Sequence, residues 1–129
     1  LPPGLRVLLV EDDAELREAV RRFLLALGCT VAVAASGEQA LLELESGAEF
    51  DLLLSDIALG AGMRGTRLAE LAQQRLPRLA VLLMSGYSAE LLDADRDAPL
   101  DWELLRKPYS RAELATAMTR LIAARNGAA

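Results

Sequence analysis

The sequence predicts a parallel α/β sheet wrapped by helices on both faces. Short, continuous apolar runs of strand length recur five times, and each is followed by a segment with helical or loop-helix patterning. The chain has 129 residues, 53% of them hydrophobic, which fits one domain whose sheet is covered on both sides. The run from 50 to 56, Phe-Asp-Leu-Leu-Leu-Ser-Asp, is too short for a helix and too continuous for a half-exposed strand. It reads as the central strand, and it stops at a carboxylate, Asp56.

The elements follow in order. Residues 5–10 (LRVLLV) form the first buried strand, followed at once by Glu11, Asp12 and Asp13. Behind these acids Leu16, Ala19, Val20, Phe23, Leu24 and Leu27 repeat at helical spacing, with Asp13 as N-cap and Gly28 as C-terminal stop. Residues 30–34 (TVAVA) are the second strand. Ser36-Gly37-Glu38-Gln39 has the capping-box pattern, opening a helix that turns Ala40, Leu41 and Leu44 inward before Gly47. After the Asp56 strand, residues 60–65 hold three glycines and read as a loop.

A third helix turns Leu68, Leu71 and Ala72 inward and ends before Pro77. Residues 79–84 (LAVLLM) are the fourth strand, stopping at Ser85-Gly86. Residues 88–95 suit a short helix, and 97–101 the least ordered stretch. Residues 102–105 (WELL) make a short fifth strand ending at Arg106-Lys107-Pro108. Ser110-Arg111-Ala112-Glu113 is a second capping box, before a helix with Leu114, Ala117, Met118, Leu121 and Ile122 inward. The tail from Asn126 is expected to fray.

Composition excludes several function classes. A net charge of −5 argues against nucleic acid or an anionic membrane as the direct partner. With no histidine, Ser-His-Asp and Cys-His nucleophile systems and most zinc sites are ruled out, as is a phosphohistidine on this chain. The lone Cys29 forms no internal disulfide and reads as a small core residue. No apolar run reaches membrane-spanning length, and no signal peptide is visible. The chain begins at Leu1 rather than Met, so a piece of a longer protein is expected.

In a parallel sheet every strand's carboxyl end faces one edge, where such folds place their ligand crevice. Here those ends carry Glu11-Asp12, Asp56, Ser85 and Lys107, while the second strand ends in Ala34-Ala35. Carboxylates crowded at one edge call for a cation, and oxygen-only ligands suit Mg²⁺. The same set suits phosphoryl transfer to a carboxylate, with Asp56 as nucleophile and Lys107 and Ser85 holding the phosphoryl oxygens. Each feature alone has an ordinary explanation: acids favour a helix N-terminus, Lys-Pro is a solvated turn, and Ser85 is a turn residue. Their coincidence at one edge is what points to chemistry.

With these residues in hand, the chain resembles the receiver domain of a two-component response regulator over roughly residues 5 to 124. Val7-Leu8-Leu9-Val10-Glu11-Asp12-Asp13 resembles the family's first strand and acidic pair. Asp56 matches its phospho-acceptor, Ser85 its Thr/Ser and Lys107-Pro108 its Lys-Pro pair. The resemblance implies a flavodoxin-like (βα)5 fold and a single receiver domain over 1–129. It implies that Asp12 binds Mg²⁺ directly, Glu11 through water, and that the Ala58 carbonyl is a further ligand beside Asp56.

It also implies a histidine kinase or a histidine phosphotransfer protein as partner, a cytoplasmic setting, and a monomer when isolated. The only chemistry implied is the chain's own phosphorylation and hydrolysis. Leu104-Leu105-Arg106-Lys107-Pro108-Tyr109 and Ser85-Gly86-Tyr87 look most like receivers of hybrid sensor histidine kinases.

Two positions depart from the family pattern: Gly60 replaces a frequent Pro, and Leu104 replaces the usual Tyr or Phe three residues before the lysine. Three other readings fit these residues less well. A dehalogenase-type aspartyl-phosphate phosphatase wants an acid where Ala58 stands, and a flavin carrier wants a phosphate loop where the chain has acids. A docking module without phosphorylation does not need the intact acidic set.

Overall fold

The computed structural model describes residues 1–86 and 102–127. Nine elements follow one another there: β1 (Arg6–Val10), α1 (Ala14–Ala26), β2 (Thr30–Ala34), α2 (Gly37–Glu45), β3 (Leu52–Asp56), α3 (Gly65–Arg75), β4 (Ala80–Ser85), β5 (Glu103–Arg106) and α4 (Arg111–Gly127). The five strands form one parallel sheet in the order β2-β1-β3-β4-β5. That is a flavodoxin-like doubly wound order, with the reversal between β1 and β3.

Alternation along the strands divides the core into two layers. Val7, Leu9, Leu52, Leu54, Leu82 and Met84 face α1 and α4, meeting Val20, Leu24, Leu114 and Met118. Leu8, Val10, Leu53, Val81 and Leu83 face α2 and α3, meeting Ala40, Leu44, Leu68, Ala69 and Ala72. Successive residues of a strand point to opposite faces, so a continuous apolar run is what a sheet covered twice requires. β3 and β4 are buried at every position. Each large aliphatic buried there contributes about 1.5–3 kcal/mol.

Helix ends follow the capping chemistry. Asp13 Oδ1 accepts from the Glu15 and Leu16 N–H groups at 2.9 and 3.0 Å. The Ser110 box is reciprocal: Ser110 Oγ accepts from the Glu113 N–H at 3.1 Å, and Glu113 Oε1 from the Ser110 N–H at 3.0 Å. The Ser36 box is offset, since Gln39 Oε1 accepts from the Ala35 N–H rather than from Ser36. Gly28 adopts φ 87°, the left-handed turn that stops α1.

Some expectations shift. Ala69 is fully buried in α3, whereas Leu71 is half-buried. Gly65 is the first residue of α3 rather than loop. α4 continues through Asn126 and Gly127, where fraying was expected, because its inward row reaches Ile122 and Arg125 is tied to the sheet. The expected helix over 88–95 and the irregular stretch 97–101 lie outside the described residues.

Asp51, just before β3, gathers the opposite edge of the sheet. Its carboxylate accepts from the Arg6 N–H at 2.9 Å and from Arg6 Nε at 3.3 Å. Arg125 Nη1 reaches Asp51 Oδ1 at 3.3 Å and the Asp51 carbonyl at 3.0 Å. The far end of α4 is thereby fastened to the edge opposite the acids.

Candidate functional site

Strand register decides which side chains meet. Val10 stands opposite Ser55, and Asp56 opposite Met84, so Glu11 emerges level with Asp56. Arg106 stands opposite Ser85, and the Lys107 N–H donates to the Ser85 carbonyl at 2.8 Å. The next side chain, Lys107, therefore points across the sheet edge toward β3 and β1. Its Nζ lies 2.8 Å from Asp56 Oδ2 and 3.4 Å from Glu11 Oε2.

Glu11 and Asp56 are buried, with 2% and 6% of their surface exposed, while Asp12 is exposed. The three carboxylates each offer an oxygen within 4.8 Å of the others. Burial, and then the neighbouring Asp56 carboxylate, push the Glu11 carboxyl far above the ordinary range, with Lys107 acting in the opposite direction. Burial also works against the Lys107 ammonium. Asp56 and then Glu11 more than offset it, and Lys107 is held above its ordinary value.

One ammonium thus faces three acids. An all-oxygen donor set with surplus negative charge, partly open to water through Asp12, fits a hard divalent cation such as Mg²⁺.

All six sequence-predicted site residues stand at this edge. Glu11, Asp12 and Asp56 cluster within 4.8 Å of one another, and Lys107 touches Glu11 and Asp56. Ser85 is buried at the end of β4, and Ala58 lines one groove with Asp56 and Lys107. That groove, about 590 Å³, is floored by Leu16, Val20 and Phe23 of α1 and by Pro108 and Tyr109.

Several supporting residues escaped the sequence reading. Arg17 Nη1 donates to the Glu11 carbonyl at 2.8 Å, pinning the strand end that carries the acids. The Tyr109 hydroxyl donates to Met84 Sδ at 2.9 Å, beneath Asp56 in register. Burial, followed by the Glu11 and Asp56 charges, raises the Tyr109 phenol well above its usual value. Leu104, by contrast, is half-buried against the α2–α3 layer.

Gly65 is sterically required: a Cβ there would lie 2.1 Å from the Asp56 carbonyl oxygen. The glycine-rich run 60–65 was the only sequence signal for it, and it does not single out Gly65. For Arg17 and Tyr109 the sequence offered none.

A family model described as response regulator receiver domain matches residues 7–119. The response regulator receiver protein CpdR of Brucella abortus is 33% identical over 119 residues, spanning 92% of this chain and 98% of that protein. The response regulator protein FleR of Pseudomonas aeruginosa is 38% identical over 117 residues, and the sensor kinase CckA of Brucella abortus 34% over 117 residues. The chain spans 24% of the former and 12% of the latter. A solved receiver protein from Sinorhizobium medicae superposes with a TM-score of 0.88 at 30% identity, covering 95% of this chain and 97% of that one.

Proposed function

This chain belongs to the response regulator receiver domain family, and from that membership we propose that Asp56 accepts a phosphoryl group from a partner's phosphohistidine. The observation that carries the proposal is the contact of Lys107 Nζ with Asp56 Oδ2 beside two further acids. The chain is read as a single receiver module working in a two-component relay, with its own phosphorylation and dephosphorylation as its only chemistry.

In the transfer, an Asp56 carboxylate oxygen attacks phosphorus in line with the donor's N–P bond. The O–P bond forms as the N–P bond breaks, and the departing imidazole nitrogen keeps the electron pair and takes a proton. Lys107 moves its charge-assisted hydrogen bond from the carboxylate to a phosphoryl oxygen. The Ser85 hydroxyl donates to another. Glu11, Asp12, Asp56 and the Ala58 carbonyl would hold Mg²⁺, which when bound offsets the charge on the transferring oxygens.

The donor is a histidine kinase or histidine phosphotransfer protein. The apolar groove floor beside Asp56 offers such a protein a surface to dock against. No helix among the described residues is long and apolar enough to cross a membrane.

The test is incubation with a small phosphoramidate donor, with and without Mg²⁺, followed by intact mass. The parent should gain one phosphoryl group only with Mg²⁺, and Asp12→Ala should gain little. Equal labelling of that variant, or labelling in chelator, would remove the metal from the account.

A further inference from the structure

The loop that follows Asp56 is closed at its base, where the Gly65 N–H donates to the Ile57 carbonyl at 2.9 Å. Its tip is tied to another element by one hydrogen bond among the described residues: the Met63 N–H donates to Glu38 Oε2 at 3.1 Å. Glu38 stands in the first turn of α2, outside the acidic cluster.

Three glycines fit the loop to its neighbours. A Cβ on Gly62 (φ 122°) would meet Glu38 Oε2 at 3.1 Å, and one on Gly37 would meet Met63 Cβ at 3.0 Å. Bare backbone on both sides lets α2 and the loop tip approach this closely. At the other end of the same short stretch, a Cβ on Gly60 (φ 71°) would lie 3.3 Å from Asp12 Oδ2. The loop therefore runs from contact with the exposed acid of the cluster to contact with Glu38 within four residues.

We infer that Glu38 is a positioning residue that latches this loop, and with it the Ala58 carbonyl and the Gly60 backbone, against the Asp12 side of the cation pocket. A chain with Gly60, Gly62 and Gly65 has high backbone freedom to lose on ordering. An external acceptor on α2, itself fixed by the sheet, removes part of that freedom before any cation arrives. Preorganisation of this kind strengthens binding without adding a ligand. The cation half of the inference rests on the proposed function; the latch itself does not.

Two readouts on the same variants separate these parts. Amide hydrogen exchange at Gly62 and Met63 is measured in the metal-free parent, Glu38→Ala and Glu38→Gln, and Mg²⁺ is then titrated into each while amide resonances are followed. Glu38→Ala should lose protection at Met63 and bind Mg²⁺ about fivefold more weakly, the size expected for one lost hydrogen bond. Glu38→Gln keeps an oxygen acceptor but no charge, so it should restore both.

Equal weakening in Ala and Gln variants would make Glu38 a remote charge and overturn the latch. So would Met63 protection in Glu38→Ala equal to the parent's. If the parent takes up no Mg²⁺, the reading of the pocket fails, and the Met63 exchange rates alone decide for or against the latch.

Discussion

Lys107 Nζ lies 2.8 Å from Asp56 Oδ2 and only 3.4 Å from Glu11 Oε2, so one ammonium serves two buried carboxylates. The site is built short of positive charge, and Asp12 adds to the deficit from the solvent side. Removing Asp12 should therefore help the metal-free fold. Asp12→Asn is expected to raise its stability by roughly 1 kcal/mol, the scale of one close like-charge repulsion in a wet setting. Thermal denaturation in chelator measures this, and added Mg²⁺ should stabilise the parent but not the variant. A variant less stable than the parent in chelator would contradict the repulsion.

Gly65 carries the opposite cost. With an added Cβ only 2.1 Å from the Asp56 carbonyl oxygen, either α3 or the end of β3 must move. Gly65→Ala should lose about 2 kcal/mol or more, in the range of overpacking a fixed core position, and slow phosphoryl uptake as well. Urea denaturation and a labelling time course report the two effects. Parent-like values in both would show that the backbone yields easily.

Asp51 gives a pH signature at the far edge. Burial alone would raise its carboxyl, but the hydrogen bonds from Arg6 and then Arg125 hold it below its ordinary value. A depressed folded value means its contribution is fully present above the ordinary aspartate range and is lost as pH falls through the folded value. Asp51→Asn should cost about 1–2 kcal/mol near neutrality. The gap should close as the solution is acidified below the ordinary aspartate range. A gap that is constant down to strong acid would assign the loss to packing instead.

The lifetime of the phosphoryl group should depend on Ala58, which lines the groove with Asp56 and has no side-chain hydrogen bond to orient a water. Ala58→Asn is expected to hydrolyse faster than the parent at saturating Mg²⁺, followed as loss of label after donor removal. A rate equal to or below the parent's would refute it. The family resemblance sets Tyr87 beside the same path, and that residue lies outside the described residues.

Fold and site were legible in the sequence to different depths. The apolar runs marked all five strands because a parallel sheet covered twice leaves no polar face to break them, and the strand ends then named Glu11, Asp12, Asp56, Ser85 and Lys107. Strand register, which a continuous apolar run does not specify, decides that Lys107 reaches both Asp56 and Glu11. Arg17, Glu38 and Tyr109 were illegible for a related reason. Each acts on backbone or sulfur brought near by tertiary packing, at spacings with no local pattern. Gly65 was misread as loop because three glycines in six residues mask the one that a close approach requires.

The identity of the acceptor is the claim on which the rest depends. After phosphorylation by a small phosphoramidate donor with Mg²⁺, borohydride reduction cleaves an aspartyl phosphate to homoserine, and peptide mass spectrometry locates the altered residue. The account predicts conversion at Asp56 and no conversion in Asp56→Asn. Conversion at Glu11, Asp12 or elsewhere, or label persisting at the parent's level in Asp56→Asn, would contradict it.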